Sequence, residues 1–108
     1  MKRKTIIAIY KELNRDYFNN ILTMPAIHAS KTDGERGSYL EEHRGRPAII
    51  YYNPRNSYIM ARSVMYHEMI HQFLHEIMQI TENDHHGPVF WKTYLQFAPV
   101  YGKAFLWI

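Results

Sequence analysis

Hydrophobic residues recur every three or four positions at the start of the chain, and polar residues lie between them. In residues 5 to about 22 the apolar members of this pattern are Ile6, Ile9, Tyr10, Leu13, Tyr17 and Ile21. Because a helix turns once in 3.6 residues, this spacing puts the apolar side chains on one face and predicts a first helix. Met24 and Pro25 are expected to end it.

Three short stretches after this helix have the composition of strands. The clearest is residues 48–52, which are mainly β-branched and aromatic, and residues 26–30 and 37–41 are weaker candidates. Turn signals separate them at residues 32–35 and 43–47. Because the connections are short, we expect a small, three-stranded, mainly antiparallel sheet.

The rest of the chain predicts two more helices. Residues 58 to about 78 form the longer one, and Asn56 or Ser57 can cap its N-terminus. After a polar loop, Gly87 and Pro88 open a third helix that ends near Pro99, since proline suits the first helical position. The apolar residues 100–108 are expected to pack against the body. The pattern predicts an α+β fold in a single domain, residues 1–108.

Composition limits the chemistry that this domain can use. The chain has 108 residues and is 46% hydrophobic, enough to bury a modest core. It contains no cysteine, which excludes disulfides, a thiol nucleophile and a thiolate zinc site. Any metal must therefore bind to histidines and carboxylates. The basic start and short apolar run of residues 1–13 are too short for a signal peptide or a membrane span, so we expect a cytoplasmic protein with no membrane partner.

The net charge of +3 permits nucleic acid as a partner, although the basic residues are spread along the chain. A phosphate-binding rim could be formed by Arg36, Arg44, Arg46, Arg55 and Arg62. Solvated surface charge is the default interpretation of these arginines. DNA is therefore a partner that the composition allows and does not require.

Three histidines of the long helix, His67, His71 and His75, follow one another at intervals of four. Two imidazoles at this spacing lie on one helix face and can reach a single metal ion. The pair His67 and His71 contains Glu68, whereas the pair His71 and His75 has Gln72 at the equivalent place. Since a carboxylate can take a proton from an activated water and an amide cannot, the first pair is an HExxH motif. His75 is interpreted as an outer or solvated residue.

A catalytic zinc site usually has three protein ligands and one open position, so a third ligand is needed. Four side chains in the loop after the long helix are candidates: Glu82, Asp84, His85 and His86. Spacing alone does not choose among them. Zinc is the metal that the ligand types favour, although imidazole sites also accept cobalt, nickel and copper.

The HExxH motif, followed after fourteen residues by His86, Gly87, Pro88, Val89 and Phe90, resembles the SprT-like metalloprotease domain, the family of the DNA-protein-crosslink protease Spartan. Residues 14–22 resemble the opening helix of that family, and residues 37–39 resemble its glycine-rich second strand. The resemblance implies a zincin-like fold. It also implies Zn²⁺ on His67, His71 and His86, and Glu68 as the general base.

The function implied is that of a zinc metalloendopeptidase, which hydrolyses peptide bonds of proteins, DNA-associated proteins among them, through a metal-activated water. An extended substrate would pair with the edge of the small sheet. Tyr39, Tyr66 and Tyr94 are candidates for a further donor to the oxyanion. Spartan and several relatives carry a cysteine-bearing zinc module or DNA-binding extensions that have no counterpart here. We therefore expect a minimal protease or one that another protein targets.

Two alternatives stay open. The first is a non-catalytic, zinc-containing module that binds nucleic acid or another protein, although such a site would not need Glu68. The second is a zinc hydrolase that acts on bonds other than peptide bonds, because the chemistry of activated water is not specific to amides. The aromatic residues of the last two helices, Phe73, Phe90, Trp91, Tyr94 and Phe97, are interpreted as core rather than as a base-stacking platform.

Overall fold

The computed structural model describes residues 1–30, 34–80 and 86–97, which form an α+β fold of three helices and a three-stranded mixed sheet. In chain order the elements are α1 (Arg3–Phe18), β1 (Ala26–Ala29), β2 (Gly37–Leu40), β3 (Ile49–Tyr52), α2 (Tyr58–Glu76) and α3 (Pro88–Phe97). Within these ranges no helix is long and apolar enough to cross a membrane. The expected packing of residues 100–108 falls outside the described residues.

The first helix ends earlier than its hydrophobic pattern predicts. Asn19 and Asn20 have φ values of 52° and 60°, in the left-handed region that ends a helix and that asparagine tolerates. Asn14 fixes the chain that follows, because its side-chain amide donates to the carbonyl of Leu22 and accepts from the Leu22 N–H. As a result Ile21, predicted on the apolar face, lies beyond the helix and is 45% exposed.

The long helix α2 begins where the capping signal places it. The Ser57 hydroxyl accepts a hydrogen bond from the backbone N–H of Met60 at 3.2 Å, which satisfies one of the free donors of the first turn. The helix ends at Glu76, two residues before the predicted end. The third helix begins at Pro88, as predicted.

The strand order is β1-β3-β2, with β3 antiparallel to β2 and parallel to β1. The expectation of a mainly antiparallel sheet is therefore wrong for the β1 pair. Three of the four β3 residues are buried, so this strand takes the centre. The chain reverses direction after β1 and again after β2, so β1 and β3 run the same way. Because β3 lies between the other two, β1 meets a parallel neighbour.

The core lies between the sheet and the helices, and its buried members include Leu13, Ile27, Ile50, Met69 and Ile70. Full burial of one such side chain stabilises the fold by about 1.5–3 kcal/mol. The interpretation of the aromatic residues as core is confirmed: Phe90 and Tyr94 are buried, and the partly buried residues packed against the core include Phe73, Trp91 and Phe97. In this packing α2 contacts α1, α3 and the strands β2 and β3.

Candidate metal centre

Two elements that are distant in sequence bring three imidazoles together. Helix α2 carries His67 and His71 one turn apart, and His86 lies just before α3. Their ring centroids are 4.9–5.2 Å apart, and one nitrogen from each ring lies within 4.8 Å of those of the other two. The Nε2 atoms of His67 and His86 are 2.9 Å apart. Among the described residues, this is the only group of three or more His, Asp or Glu close enough to share an ion.

A single buried side chain supports all three rings. The Phe90 ring lies with its centroid 4.8 Å from that of His67, 4.6 Å from that of His71 and 5.2 Å from that of His86. It is completely buried. Phe90 lies in the first turn of α3, and its contacts with His67 and His71 hold the start of α3, just after His86, against α2. The sequence contained this residue within the second histidine motif but did not indicate that it would lie under the metal ligands.

The donor set fits a zinc ion. Imidazole nitrogens about 2.1 Å from a tetrahedral ion lie about 3.4 Å from one another, which is within the 4.8 Å limit that contains the nitrogens of the three rings. Burial, together with the nearby His86, lowers the pKa of His67 to about 4. His67 is therefore neutral at neutral pH, which is the form that binds a metal. Its Nδ1 atom is buried with no hydrogen-bond partner among the described residues, unlike the second nitrogen of most metal-binding histidines.

The carboxyl group of Glu68 lies beside the histidines and is almost completely shielded from solvent, with 7% of the residue exposed. Burial raises the pKa of Glu68 to about 8, and the negative charge of Glu35 adds to this rise. A carboxyl group with a pKa near neutrality can both take and return a proton. A nearby cation would favour the ionised form and lower this pKa.

These groups open into one cleft of about 480 Å³. Helix α2 and the start of α3 provide one wall with His67, Glu68, His71 and His86, and strand β2 provides the other. Tyr39 lines this cleft, whereas Tyr66 and Tyr94 are buried in the core, and the Tyr66 hydroxyl donates to the backbone carbonyl of Tyr94.

His75 also faces the cleft but has other partners. Its Nε2 lies 2.8 Å from Oε2 of Glu41, and its Nδ1 lies 3.4 Å from the hydroxyl of Tyr39. Burial, reinforced by the charges of Glu76 and Glu41, raises the pKa of Tyr39, which keeps this hydroxyl protonated and able to donate. His75 is thus separate from the three converging rings. The sequence offered no signal for its contacts with Tyr39 and Glu41, because these come from the pairing of β2 beside α2.

The other candidates for a third ligand, Glu82, Asp84 and His85, lie outside the described residues. The ligand assignment to His67, His71 and His86 accordingly stays a prediction, now with an observed geometry. No family model matches the chain, and neither the curated proteins nor the solved structures contain a significant match. The resemblance to the SprT-like family therefore depends on the sequence alone, chiefly on the two histidine motifs.

Proposed function

We propose that the chain is a zinc-dependent metallopeptidase of zincin-like fold, with zinc held by His67, His71 and His86 and with Glu68 as the general base. One observation carries this proposal: three imidazoles from two separate elements and a buried carboxyl group face a single cleft. A structural zinc site has no use for a buried carboxylate that is not a ligand, so Glu68 favours catalysis over the binding-module alternative.

Each residue has a role that follows from its position. His67, His71 and His86 would hold the zinc ion, which would supply a Lewis acid able to polarise the scissile carbonyl and to lower the pKa of water toward about 7. Glu68 would take the proton of the attacking water and return it to the leaving amine; burial raises its pKa, and a nearby cation would lower that pKa and favour the ionised form that accepts the proton. The buried Phe90 ring lies against all three imidazoles and would restrict their orientation.

The sheet suggests how a peptide lies in the cleft. Strand β2 is an edge strand, because among the described residues it pairs with β3 on one side only. It forms the wall of the cleft opposite the histidines. An edge strand offers free backbone donors and acceptors to an added strand. An extended peptide paired with β2 would run past the metal ligands, and recognition through backbone atoms would give low sequence preference.

The charge of the cleft supports a protein substrate rather than nucleic acid at the reactive centre. The described residues that line it include Glu41 and Glu68 and no lysine or arginine. Among the arginines considered for a phosphate rim, Arg62 pairs with Glu12 at 3.0 Å and Arg46 donates to the carbonyls of Glu41 and Pro47. DNA-associated substrates and a cytoplasmic location remain predictions from the sequence.

The decisive experiment is to measure the zinc content of the purified protein together with its cleavage of an unstructured protein such as casein, with and without DNA. Glu68→Gln is the matched variant, because it keeps the three imidazoles and removes the base. We expect about one zinc per chain in both proteins and a loss of about 10²–10⁴-fold in the cleavage rate of the variant. Zinc binding without any metal-dependent cleavage by the wild type would favour the binding module, and absence of zinc would refute the ligand assignment.

A further inference from the structure

Gly37, the first residue of strand β2, lies close to helix α2. A Cβ atom added there would lie 2.4 Å from Cγ1 of Val64, 3.1 Å from the backbone oxygen of Tyr51 and 3.6 Å from Oε2 of Glu68. The first of these distances is far below any normal contact between carbon atoms. No residue other than glycine fits at this position without displacement of a neighbour.

The need for glycine here concerns space and not backbone conformation. Gly34 and Gly45 have φ values of 86° and 83°, the left-handed region that glycine adopts easily, and an added Cβ at either residue would have no atom of the described residues within 4 Å. Gly37 has no such φ and lies in a regular strand, opposite Tyr52 in the register of β3. A glycine inside a strand commonly marks a site where another backbone or side chain approaches closely.

The element that approaches is the one that carries the proposed base. Val64 and Glu68 are four residues apart on α2, so they lie one above the other on the helix face that meets β2. Strand β2 cannot move away freely, because its antiparallel pairing holds it to β3. A side chain at position 37 would therefore push on Val64 and change the separation of β2 from the turn of α2 that contains Glu68.

We infer that Gly37 is a positioning residue for Glu68: the missing side chain lets β2 lie directly against α2 and fixes the carboxyl group at the wall of the cleft. This inference rests on the proposed function, in which Glu68 must reach a water at the metal. Proton transfer requires heavy atoms within about 2.6–3.2 Å, so a shift of about 1 Å in this carboxyl group is enough to impair it.

The test is a set of three variants: Gly37→Ala, Val64→Ala and the double variant. The alanine at position 64 removes Cγ1, so it relieves the shortest contact. We expect Gly37→Ala to lower kcat on casein at least about tenfold while the KM and the zinc content stay within about twofold. The double variant should recover most of the kcat of Val64→Ala. Its recovery is limited by the remaining contact with the Tyr51 carbonyl.

A second measurement is independent of turnover. Imidazole sites accept Co²⁺, whose visible absorption spectrum responds to the groups around the metal. We expect Gly37→Ala to alter the spectrum of the cobalt-substituted protein and the double variant to restore it. If the wild type cleaves nothing but the spectrum behaves in this way, the positioning role stands and the proposed function fails.

The inference is overturned by an unchanged spectrum together with a kcat within about twofold of the wild type in Gly37→Ala. It is also overturned if Val64→Ala restores the stability of the double variant but not its kcat and spectrum, because Gly37 would then serve the fold alone. Should Gly37→Ala fail to fold, a folded double variant with the kcat and spectrum of Val64→Ala supports the steric account, and an unfolded double variant refutes it.

Discussion

Two successive turns of α2 have the same histidine spacing and different environments. In the first, His67 and His71 converge with His86, and Glu68 between them faces the cleft. In the second, which runs from His71 to His75, the last histidine pairs with Glu41. Gln72, at the place that Glu68 occupies in the first turn, is completely buried and lies in a structural network.

That network joins three parts of the fold. The Tyr10 hydroxyl of α1 donates to Oε1 of Gln72 at 2.8 Å, and Nε2 of Gln72 donates to the carbonyl of Thr23 at 2.7 Å and to Oε2 of Glu76 at 2.9 Å. Identical spacing thus gives a candidate metal site only where neighbouring elements supply a further imidazole and a cleft. The partners of each turn, not the interval of four, distinguish a site from a structural contact.

The largest effect expected from this difference is on zinc affinity. We predict that His71→Ala weakens zinc binding by about 1000-fold, or about 4 kcal/mol, because a binding free energy of about 10–16 kcal/mol is shared among a few ligands. His75→Ala is the matched control on the same helix and should keep the affinity within about threefold. Titration with a competing zinc chelator measures both. Equal losses in the two variants would contradict the difference between the turns.

The next effect concerns stability and pH in the metal-free protein. Burial raises the pKa of Glu68 from 4.5 to about 8 in the folded protein. The stability that the protonated carboxyl group contributes is therefore complete below the ordinary pKa and is lost as the pH rises through the pKa of the folded protein, which defines the pH window of the experiment. We therefore expect Glu68→Gln, which does not titrate, to be more stable than the wild type by about 3 kcal/mol at about pH 7. Urea unfolding across the window, with a chelator present, measures the difference.

His67 provides the internal check on that experiment. The pKa of His67 is lowered from 6.5 to about 4 in the folded protein. The stability that the neutral imidazole contributes is therefore complete above the ordinary pKa and is lost as the pH falls through the pKa of the folded protein. Both proteins should share this loss at acid pH, which leaves the difference between them to Glu68. Parallel stability curves for wild type and variant over the whole window would show that the carboxyl group is not buried as described.

How much of the fold and of the candidate site can be predicted depends on whether the signal lies in residues that are neighbours in the sequence. The cap at Ser57 and the start of α3 at Pro88 follow from residues next to each other in the chain, and the structure bears them out. The parallel pairing of β1 with β3 joins distant segments through the burial of β3, and no local pattern contains it. The same holds for the contact of Gly37 with Val64. Only the resemblance points to His86 as the third ligand, since its approach to α2 depends on how Phe90 packs.

A smaller effect would come from giving the second turn the motif of the first. Gln72→Glu creates a second HExxH pattern between His71 and His75, yet the new carboxyl group would lie in the buried network beside Glu76 and the Thr23 carbonyl. We expect no additional zinc and a loss of about 2 kcal/mol in the free energy of unfolding, because two hydrogen-bond donors are replaced by an acceptor. Zinc analysis and urea unfolding test both, with Gln72→Leu as the uncharged control. Binding of a second zinc would show that spacing alone is sufficient.

The smallest effect is expected at the ion pair of the second turn. The side chains of His75 and Glu41 are 28% and 51% exposed, so solvent screens their interaction even at 2.8 Å. Glu41→Gln should therefore change the free energy of unfolding by less than about 1 kcal/mol, and added salt should reduce even that difference. Zinc affinity should be unaffected, because His75 does not belong to the converging rings. A loss of zinc in this variant would mean that the second turn supports the first, and the two turns would then have to be treated as one site.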